Sequence, residues 1–154
     1  MLLAIDPGSK VVGWSAFDNS KLPTLIACGL LRATSLTKMY QEARRAFYDY
    51  MGADVVIECP QSYSQRHLQK GPQQDLITIA LVGGIVASAA NPTSIRSVLP
   101  REWKGQVDAN VMLQRIFKRL TDTERSLIER VKPVSLLHNC IDSAGLGLWA
   151  VGRL

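Results

Sequence analysis

Three acidic residues stand out because each lies in or at the end of an apolar stretch of the chain. Asp6 follows the run Met1 to Ile5 and precedes a Pro-Gly pair, Glu58 ends the run 54–58 just before Cys59-Pro60, and Asp142 lies within the apolar segment 137–148. A carboxylate in an apolar environment is costly unless a cation, a hydrogen-bond donor or solvent compensates its charge. We therefore expect the three acids to meet at one site with a compensating cation.

The residues beside Asp142 extend this possible site. His138 precedes it by four positions and Asn139 by three, so a helix would bring all three side chains to neighbouring faces. Three carboxylates with a histidine or an amide suit a hard divalent cation such as Mg²⁺ or Mn²⁺. Two such ions can stabilise both the attacking and the leaving oxygen in phosphoryl displacement. The sequence thus indicates metal-dependent phosphoryl chemistry, with His138 as a ligand or as a general base.

Each residue also has a simpler interpretation. Asp6 can be a turn-forming residue of Asp-Pro-Gly, Glu58 a surface acid at the end of a strand, and Asp142 a solvated helix residue. His138 is equally compatible with a packing role, and a lysine such as Lys104 is more often solvated than catalytic. The combination of the acids, and their order along the chain, favours the metal site.

The elements that must position these residues follow from periodicity and breakers. We expect a five-stranded mixed sheet, with three antiparallel strands followed by parallel ones, and helices on both faces, which is an α/β fold. The expected strands are residues 1–6, 11–17, 24–31, 54–58 and 93–99. The expected helices are residues 35–51, 72–90, 108–120, 121–130 and 136–151, the last capped by Ser135, with a short turn at 100–105. Gly145 and Gly147 suggest that the last helix packs closely on a strand.

Composition limits the class of protein. With 154 residues and 47% hydrophobic content the chain is long enough for a single domain spanning residues 1–154. No apolar run reaches the roughly 18 residues of a membrane span, and the N-terminus lacks signal-peptide features. Three cysteines without paired spacing indicate reduced thiols of a cytoplasmic protein. The net charge of +5 is compatible with a polyanionic partner.

Four segments together resemble a known family. They are Ile5-Asp6-Pro7-Gly8-Ser9, the strand ending in Ile57-Glu58, Pro100-Arg101-Glu102-Trp103-Lys104 and Asp142-Ser143-Ala144-Gly145-Leu146. In this order they resemble the RuvC family of Holliday junction resolvases, within the RNase H-like superfamily. The resemblance implies an RNase H-like fold and a homodimeric endonuclease dependent on Mg²⁺, with two ions per active site and Mn²⁺ able to substitute. It also implies symmetric nicking of four-way DNA junctions to 5′-phosphate and 3′-hydroxyl ends, a role in DNA recombination and repair, and a bacterial or bacteriophage origin.

The resemblance also implies roles for individual residues. Asp6 matches the carboxylate that bridges both metals, and Glu58 and Asp142 match the other acidic ligands. His138 is favoured over Asn139 for the fourth position. Lys104 matches a basic residue near the scissile phosphate. A second family lysine has no clear match, and Arg115 or Lys118 are possible substitutes.

Further implied contacts concern DNA and the dimer partner. Tyr63, or His67 in second place, is the candidate for an aromatic residue at the junction centre, where stacking replaces lost base contacts. The expected DNA-binding residues are Tyr63, Arg66, Lys70, Arg101 and Lys104. The apolar helix 72–90 resembles the helix that forms the family's dimer interface.

Other functions stay open at this point. An actin- or Hsp70-like ATPase also begins its phosphate loop after Ile-Asp, but that fold needs two such domains and the chain has room for one. A non-catalytic junction-binding protein, a nuclease of branched DNA in general and an RNase H-type hybrid nuclease are the remaining alternatives. Retention of all three acids argues against the non-catalytic one.

Overall fold

The architecture comes from a computed structural model that describes residues 1–61 and 73–154. The strands are β1 (Leu2–Pro7), β2 (Val11–Phe17), β3 (Leu25–Arg32), β4 (Asp54–Glu58) and β5 (Ile95–Val98). The helices are α1 (Leu36–Ala46), α2 (Gln73–Ala89), α3 (Pro100–Trp103), α4 (Ala109–Arg119), α5 (Asp122–Glu129) and α6 (Leu137–Ala150). All five predicted strands are therefore present.

The five strands form one mixed sheet in the order β3-β2-β1-β4-β5. β1 pairs antiparallel with β2, and β2 with β3, because short turns connect them. β4 is parallel to β1 and to β5, because a helical connection precedes each of the later strands. The predicted order of three antiparallel strands followed by parallel ones is confirmed.

Alternation along the strands divides the core into two layers. Leu3 and Ile5 of β1 pack with α1 and α2 on one face of the sheet, whereas Ala4 packs with α4, α5 and α6 on the other. β4 behaves alike, with Val55 on the first face and Val56 on the second. Because successive side chains point to opposite faces, Asp6 and Glu58 lie on the face covered by α6.

α6 lies unusually close to β2. A Cβ atom at Gly13 would collide with the backbone of Asn139 and Cys140, so only glycine permits this approach. The buried Ser15 Oγ donates a hydrogen bond to the backbone oxygen of Ser143 at 2.9 Å. This bond and the close approach hold α6, and with it Asp142, at a defined height over the sheet.

Several predicted boundaries in the helical regions were wrong in detail. The first helix stops at Ala46, where one 3₁₀ turn, Tyr48–Tyr50, replaces the expected continuation to residue 51. α6 is not capped by Ser135, which lies in a 3₁₀ turn, Val134–Leu136, that precedes the helix. The expected turn at 100–105 contains the short helix α3, in which the Glu102 carboxylate accepts a hydrogen bond from the Leu99 N–H.

The predicted role of the α6 glycines was half right. Gly147 abuts Phe17 of β2, as expected for packing on a strand, but Gly145 faces Ile116 of α4 and Trp103 of α3. Cys28, Cys59 and Cys140 are free thiols. Within the described ranges, no helix has the length and apolar character needed to cross a membrane.

Candidate active site

Two of the predicted acids lie side by side at one edge of the sheet. β1 and β4 are parallel, and their register pairs Ile5 with Ile57, so Asp6 and Glu58 follow at the same level on neighbouring strands. Strand alternation turns both towards α6. The sheet alone therefore brings together two residues that are far apart in the sequence.

The third acid reaches the same place from α6, and a lysine joins it. The Lys104 Nζ atom lies 3.2 Å from Glu58 Oε2 and 3.4 Å from Asp142 Oδ2. Lys104 follows α3 directly, and its side chain is 25% exposed. The structure thus brings Glu58, Asp142 and Lys104 together, with the ammonium group between the two carboxylates, and Asp6 lies close enough for the charges of Glu58 and Asp142 to raise its pKa.

Trp103 completes the arrangement, although the sequence singled it out only as part of a motif. Its indole Nε1–H donates a 2.7 Å hydrogen bond to Glu58 Oε2, the oxygen that Lys104 also approaches. The Lys104 Nζ atom lies 4.6 Å from the centre of the Trp103 ring. Trp103 is 5% exposed and fits only because residue 145 is glycine, since a Cβ there would lie 2.9 Å from Trp103 Cζ3. The sequence did contain a signal for this role, because Trp103 carries a hydrogen-bond donor and directly precedes the candidate residue Lys104.

The electrostatics of the site are those of a crowded carboxylate cluster. Burial, then the charge of Glu58 and then that of Asp142 raise the pKa of Asp6 to about 8, against a smaller opposing effect of Lys104. Burial alone would lower the pKa of Lys104, but Asp142, Glu58 and Asp6 outweigh it and raise that pKa. The site as a whole therefore attracts positive charge.

The donor set fits a hard divalent cation in its chemistry. Asp6, Glu58 and Asp142 come from three different elements, and the Lys104 ammonium group offsets part of the charge of Glu58 and Asp142. Within residues 1–61 and 73–154, no three His, Cys, Asp or Glu side chains stand close enough together to hold a metal ion. Because the Lys104 ammonium group lies beside both Glu58 and Asp142, it would compete with a bound cation for these two carboxylates.

The remaining predicted site residues stand apart from this group. His138 is exposed in the first turn of α6 and forms no hydrogen bond or ion pair with the described acids, while the Asn139 amide donates to the Leu136 backbone oxygen. The fourth ligand stays a prediction. Arg101 is exposed beside Lys104. Tyr63, Arg66, His67 and Lys70 lie outside the described residues.

Comparison with known proteins gives matches at the level of structure. No family model matches the sequence, and no curated protein matches it. The fold is similar to that of Thermus thermophilus RuvC in complex with a Holliday junction substrate, with a TM-score of 0.65 and 15% identity over 97% of this chain and 94% of that one. It is also similar to the fowlpox virus resolvase in complex with Holliday junction DNA, with a TM-score of 0.56 and 20% identity over the whole of both chains.

A third similar structure is the yeast mitochondrial Holliday junction resolvase Ydc2, with a TM-score of 0.55 and 10% identity over 99% of this chain and 80% of that one. At these identities the similarity establishes the fold. The predicted RNase H-like, RuvC-type architecture is therefore confirmed.

Proposed function

We propose that this protein is a metal-dependent DNA endonuclease that resolves four-way junctions by symmetric phosphodiester hydrolysis. Each nick would leave a 5′-phosphate and a 3′-hydroxyl, and the reaction would serve DNA recombination and repair. The observation that carries this proposal is the convergence of Asp6, Glu58 and Asp142 on one sheet edge around Lys104. It occurs in a fold shared, over nearly the whole chain, with resolvases whose structures contain junction DNA.

The acids would hold the catalytic cations. Asp6, Glu58 and Asp142 would together hold two Mg²⁺ ions, with Mn²⁺ as a substitute. Asp6 is the proposed ligand of both ions, because the charges of Glu58 and Asp142 both act on its pKa. His138 is the proposed fourth ligand or the general base. When bound, such ions supply an activated water and stabilise charge on the attacking and leaving oxygens.

Lys104 and Trp103 would prepare the site for the substrate. In the absence of ions the Lys104 ammonium group limits repulsion between Glu58 and Asp142. Because a lysine head group is a flexible point charge, it can turn to a phosphate oxygen of the DNA once the carboxylates bind cations. The Trp103 N–H holds one Glu58 oxygen in place and so leaves the other free to coordinate.

The partners follow from the exposed surface and from the sequence. We propose that α2 mediates a homodimer, because Ile77 is 69% and Leu81 50% exposed on its outer side. Two active sites in a symmetric dimer would account for paired nicks. A gel-filtration mass near the monomer value of 17.0 kDa would count against the dimer.

We further propose that the residues that contact DNA are Tyr63, Arg66, Lys70, Arg101 and Lys104. We also propose that the protein acts in the cytoplasm of a bacterial cell and is encoded by the host or by a phage.

The substrate is tested by direct competition. The protein is incubated with Mg²⁺ and with separately labelled four-way junction, linear duplex and RNA–DNA hybrid. We expect paired nicks on opposite strands of the junction, with ends that a ligase can seal. Cleavage of the hybrid alone would overturn the proposal in favour of an RNase H-type nuclease, and binding of the junction without cleavage would favour a non-catalytic role.

The site is tested by Asp6→Asn. We expect junction cleavage to fall by at least about 10²–10³-fold, as when a single group that stabilises transition-state charge is removed. Junction affinity should change little, because binding relies on phosphate contacts elsewhere. The matched control is Asp49→Asn, at an exposed acid in the 3₁₀ turn after α1, which should leave both unchanged. Loss of junction binding together with cleavage would show that Asp6 has a structural role instead.

A further inference from the structure

The outer face of α4 carries three cations that the active site does not use. Arg115, Lys118 and Arg119 are exposed and lie three and four positions apart, which places them on one side of the helix. Like charges at this spacing destabilise a helix. The helix dipole accounts for cations in the last turn, where Lys118 and Arg119 lie, but it does not account for Arg115.

These cations have no anionic partner in the part of the chain that the structure describes. None of its ion pairs involves Arg115, Lys118, Arg119 or the C-terminal carboxylate. By contrast, Arg45 pairs with Glu42 on α1, and Arg125 pairs with Asp122 on α5. The charge on α4 is thus left available for a ligand.

The three side chains line a groove. It has a volume of about 450 Å³, and its other lining residues are Trp103, Met112 and Leu154, so no acidic side chain is among them. An open groove with a cationic wall and an apolar floor suits a polyanion that stays partly solvated. A nucleic-acid backbone has this chemistry.

The position of the groove identifies the occupant more closely. Trp103 is one of the residues that line the groove, and its indole N–H donates to Glu58 in the active site. The groove and the carboxylate site are therefore neighbours that share Trp103. One strand with a phosphate at the carboxylate site would place further phosphates of the same arm within reach of the groove.

We propose that Arg115, Lys118 and Arg119 form a phosphate-binding groove for the backbone of the DNA arm that enters the active site. This inference rests on the proposed function and adds to it the surface that holds the arm. The contact is to phosphates, so it confers affinity and register but no base specificity. It is available to linear duplex as well as to a junction.

The test is the salt dependence of DNA binding, measured in EDTA so that no cleavage occurs. The triple variant Arg115→Gln, Lys118→Gln, Arg119→Gln should bind both junction and duplex more weakly than the wild type. The slope of log K against log salt should become shallower by about 2–3, since each phosphate contact contributes about 0.9. The matched control is Lys21→Gln, Lys38→Gln, Arg45→Gln, which removes the same charge from exposed positions on the β2–β3 turn and α1.

The outcomes separate this inference from the proposed function. If the wild type binds and cleaves junctions and the groove variant keeps the slope of the control variant, the groove is overturned and the proposed function stands. If the wild type binds neither DNA, both are overturned. A weaker affinity with an unchanged slope would indicate a change of conformation and would also overturn the groove.

Single variants guard against misfolding of the triple variant. Arg115→Gln and Lys118→Gln should each reduce the slope by about 0.9. Because all three side chains are exposed and repel one another, the melting temperature should not fall. Two single variants with wild-type slopes would contradict the groove even if the triple variant did not fold.

Discussion

Two acids in this molecule have opposite electrostatic surroundings. Glu124 on α5 is 2% exposed, and both oxygens of its carboxylate accept hydrogen bonds. Arg153 donates to it through both terminal nitrogens at 2.6 and 2.9 Å, and the Leu25 and Thr121 backbone N–H groups donate at 2.8 and 2.7 Å. Asp6 at the sheet edge has Glu58 and Asp142 as its charged neighbours, opposed only by Lys104.

The pKa values of the two acids express this difference. Burial alone would raise the pKa of Glu124, but the Arg153 guanidinium and the backbone donors outweigh it and lower the pKa to about 2. At Asp6 burial and like charges act in the same direction, and the pKa rises to about 8. A satisfied acid stabilises the fold, whereas a crowded one attracts a cation. The contrast supports a structural role for Glu124 and the proposed catalytic role for Asp6.

The largest effect on stability should come from removing the charge of Glu124, the acid whose hydrogen bonds are all satisfied. Glu124→Gln leaves the Arg153 guanidinium without its charge partner between α5 and β3, so we expect the free energy of unfolding to fall by about 3–5 kcal/mol. For a chain of this size that corresponds to a melting temperature lower by about 10 °C or more. Thermal unfolding measures this change.

The matched control uses an acid in the same helix. Asp122→Gln acts on a fully exposed side chain that pairs only with Arg125, and it should change stability by less than about 1 kcal/mol. Junction cleavage by Glu124→Gln at a temperature where it is folded should equal that of the wild type. A large loss of cleavage there would erase the distinction between the two acids.

A smaller effect, on metal affinity, is expected from a change at Trp103, an uncharged residue that contacts the carboxylate cluster. Trp103→Phe keeps most of the ring but removes the N–H that holds Glu58. Partners that orient a metal ligand typically contribute about 10–100-fold to metal affinity or activity. We expect the Mg²⁺ concentration for half-maximal cleavage, and the dissociation constant of Mn²⁺ in calorimetry, to rise within this range.

The control for that experiment is Trp149→Phe on α6, where the ring contacts Arg96 and no acid of the site. Both variants lose an indole, so a shared loss of stability cancels in the comparison. Equal metal affinities for the two variants would show that the hydrogen bond to Glu58 has no role in metal binding.

The smallest effect is a pH dependence of opposite sign for the two acids. The folded pKa of Asp6 lies above its ordinary value of 3.8, so the proton on Asp6 stabilises the fold at low pH, and this contribution is lost as pH rises to about 8. In EDTA, Asp6→Asn should therefore melt higher than the wild type by about 2 °C or more, with the difference growing from pH 4 to pH 8.

Glu124 gives the opposite trend. Its folded pKa of about 2 lies below the ordinary 4.5, so its stabilising effect is complete above pH 4.5 and is lost as pH falls towards 2. The melting temperatures of the wild type and Glu124→Gln should therefore converge in acid. A constant difference across this range, or an Asp6→Asn variant less stable than the wild type, would contradict the comparison.

The sequence predicted the sheet better than the helical face that covers it. The first four strands are short, largely apolar runs between breakers, and short turns or helical crossovers determine how the strands pair. The start of α6 was predicted to within one residue, but its cap was wrong, because Leu136 precedes the helix without a side-chain cap and Ser135 lies in the 3₁₀ turn before it. The neighbours of Gly145 were missed because a glycine shows that something approaches closely, but not what.

Glu124 also shows which features a sequence pattern reveals and which it does not. Thr121 and Glu124 form a capping box, with the Thr121 hydroxyl accepting from the Glu124 N–H, and that pattern is visible in the sequence. Nothing local indicates that the carboxylate is also buried against Arg153, which is 29 positions away. A buried ion pair depends on which surfaces meet, and that is decided by packing.

By itself the sequence determined where Asp6, Glu58 and Asp142 occur in their elements, because strand and helix periods are local properties of the backbone. Only the tertiary structure decided that Lys104 lies between Glu58 and Asp142, that Trp103 holds Glu58, and that α4 presents unpaired cations beside them. These arrangements join elements distant in the chain. They depend on how closely α6 approaches the sheet and α3, which Gly13 and Gly145 permit but no local pattern specifies.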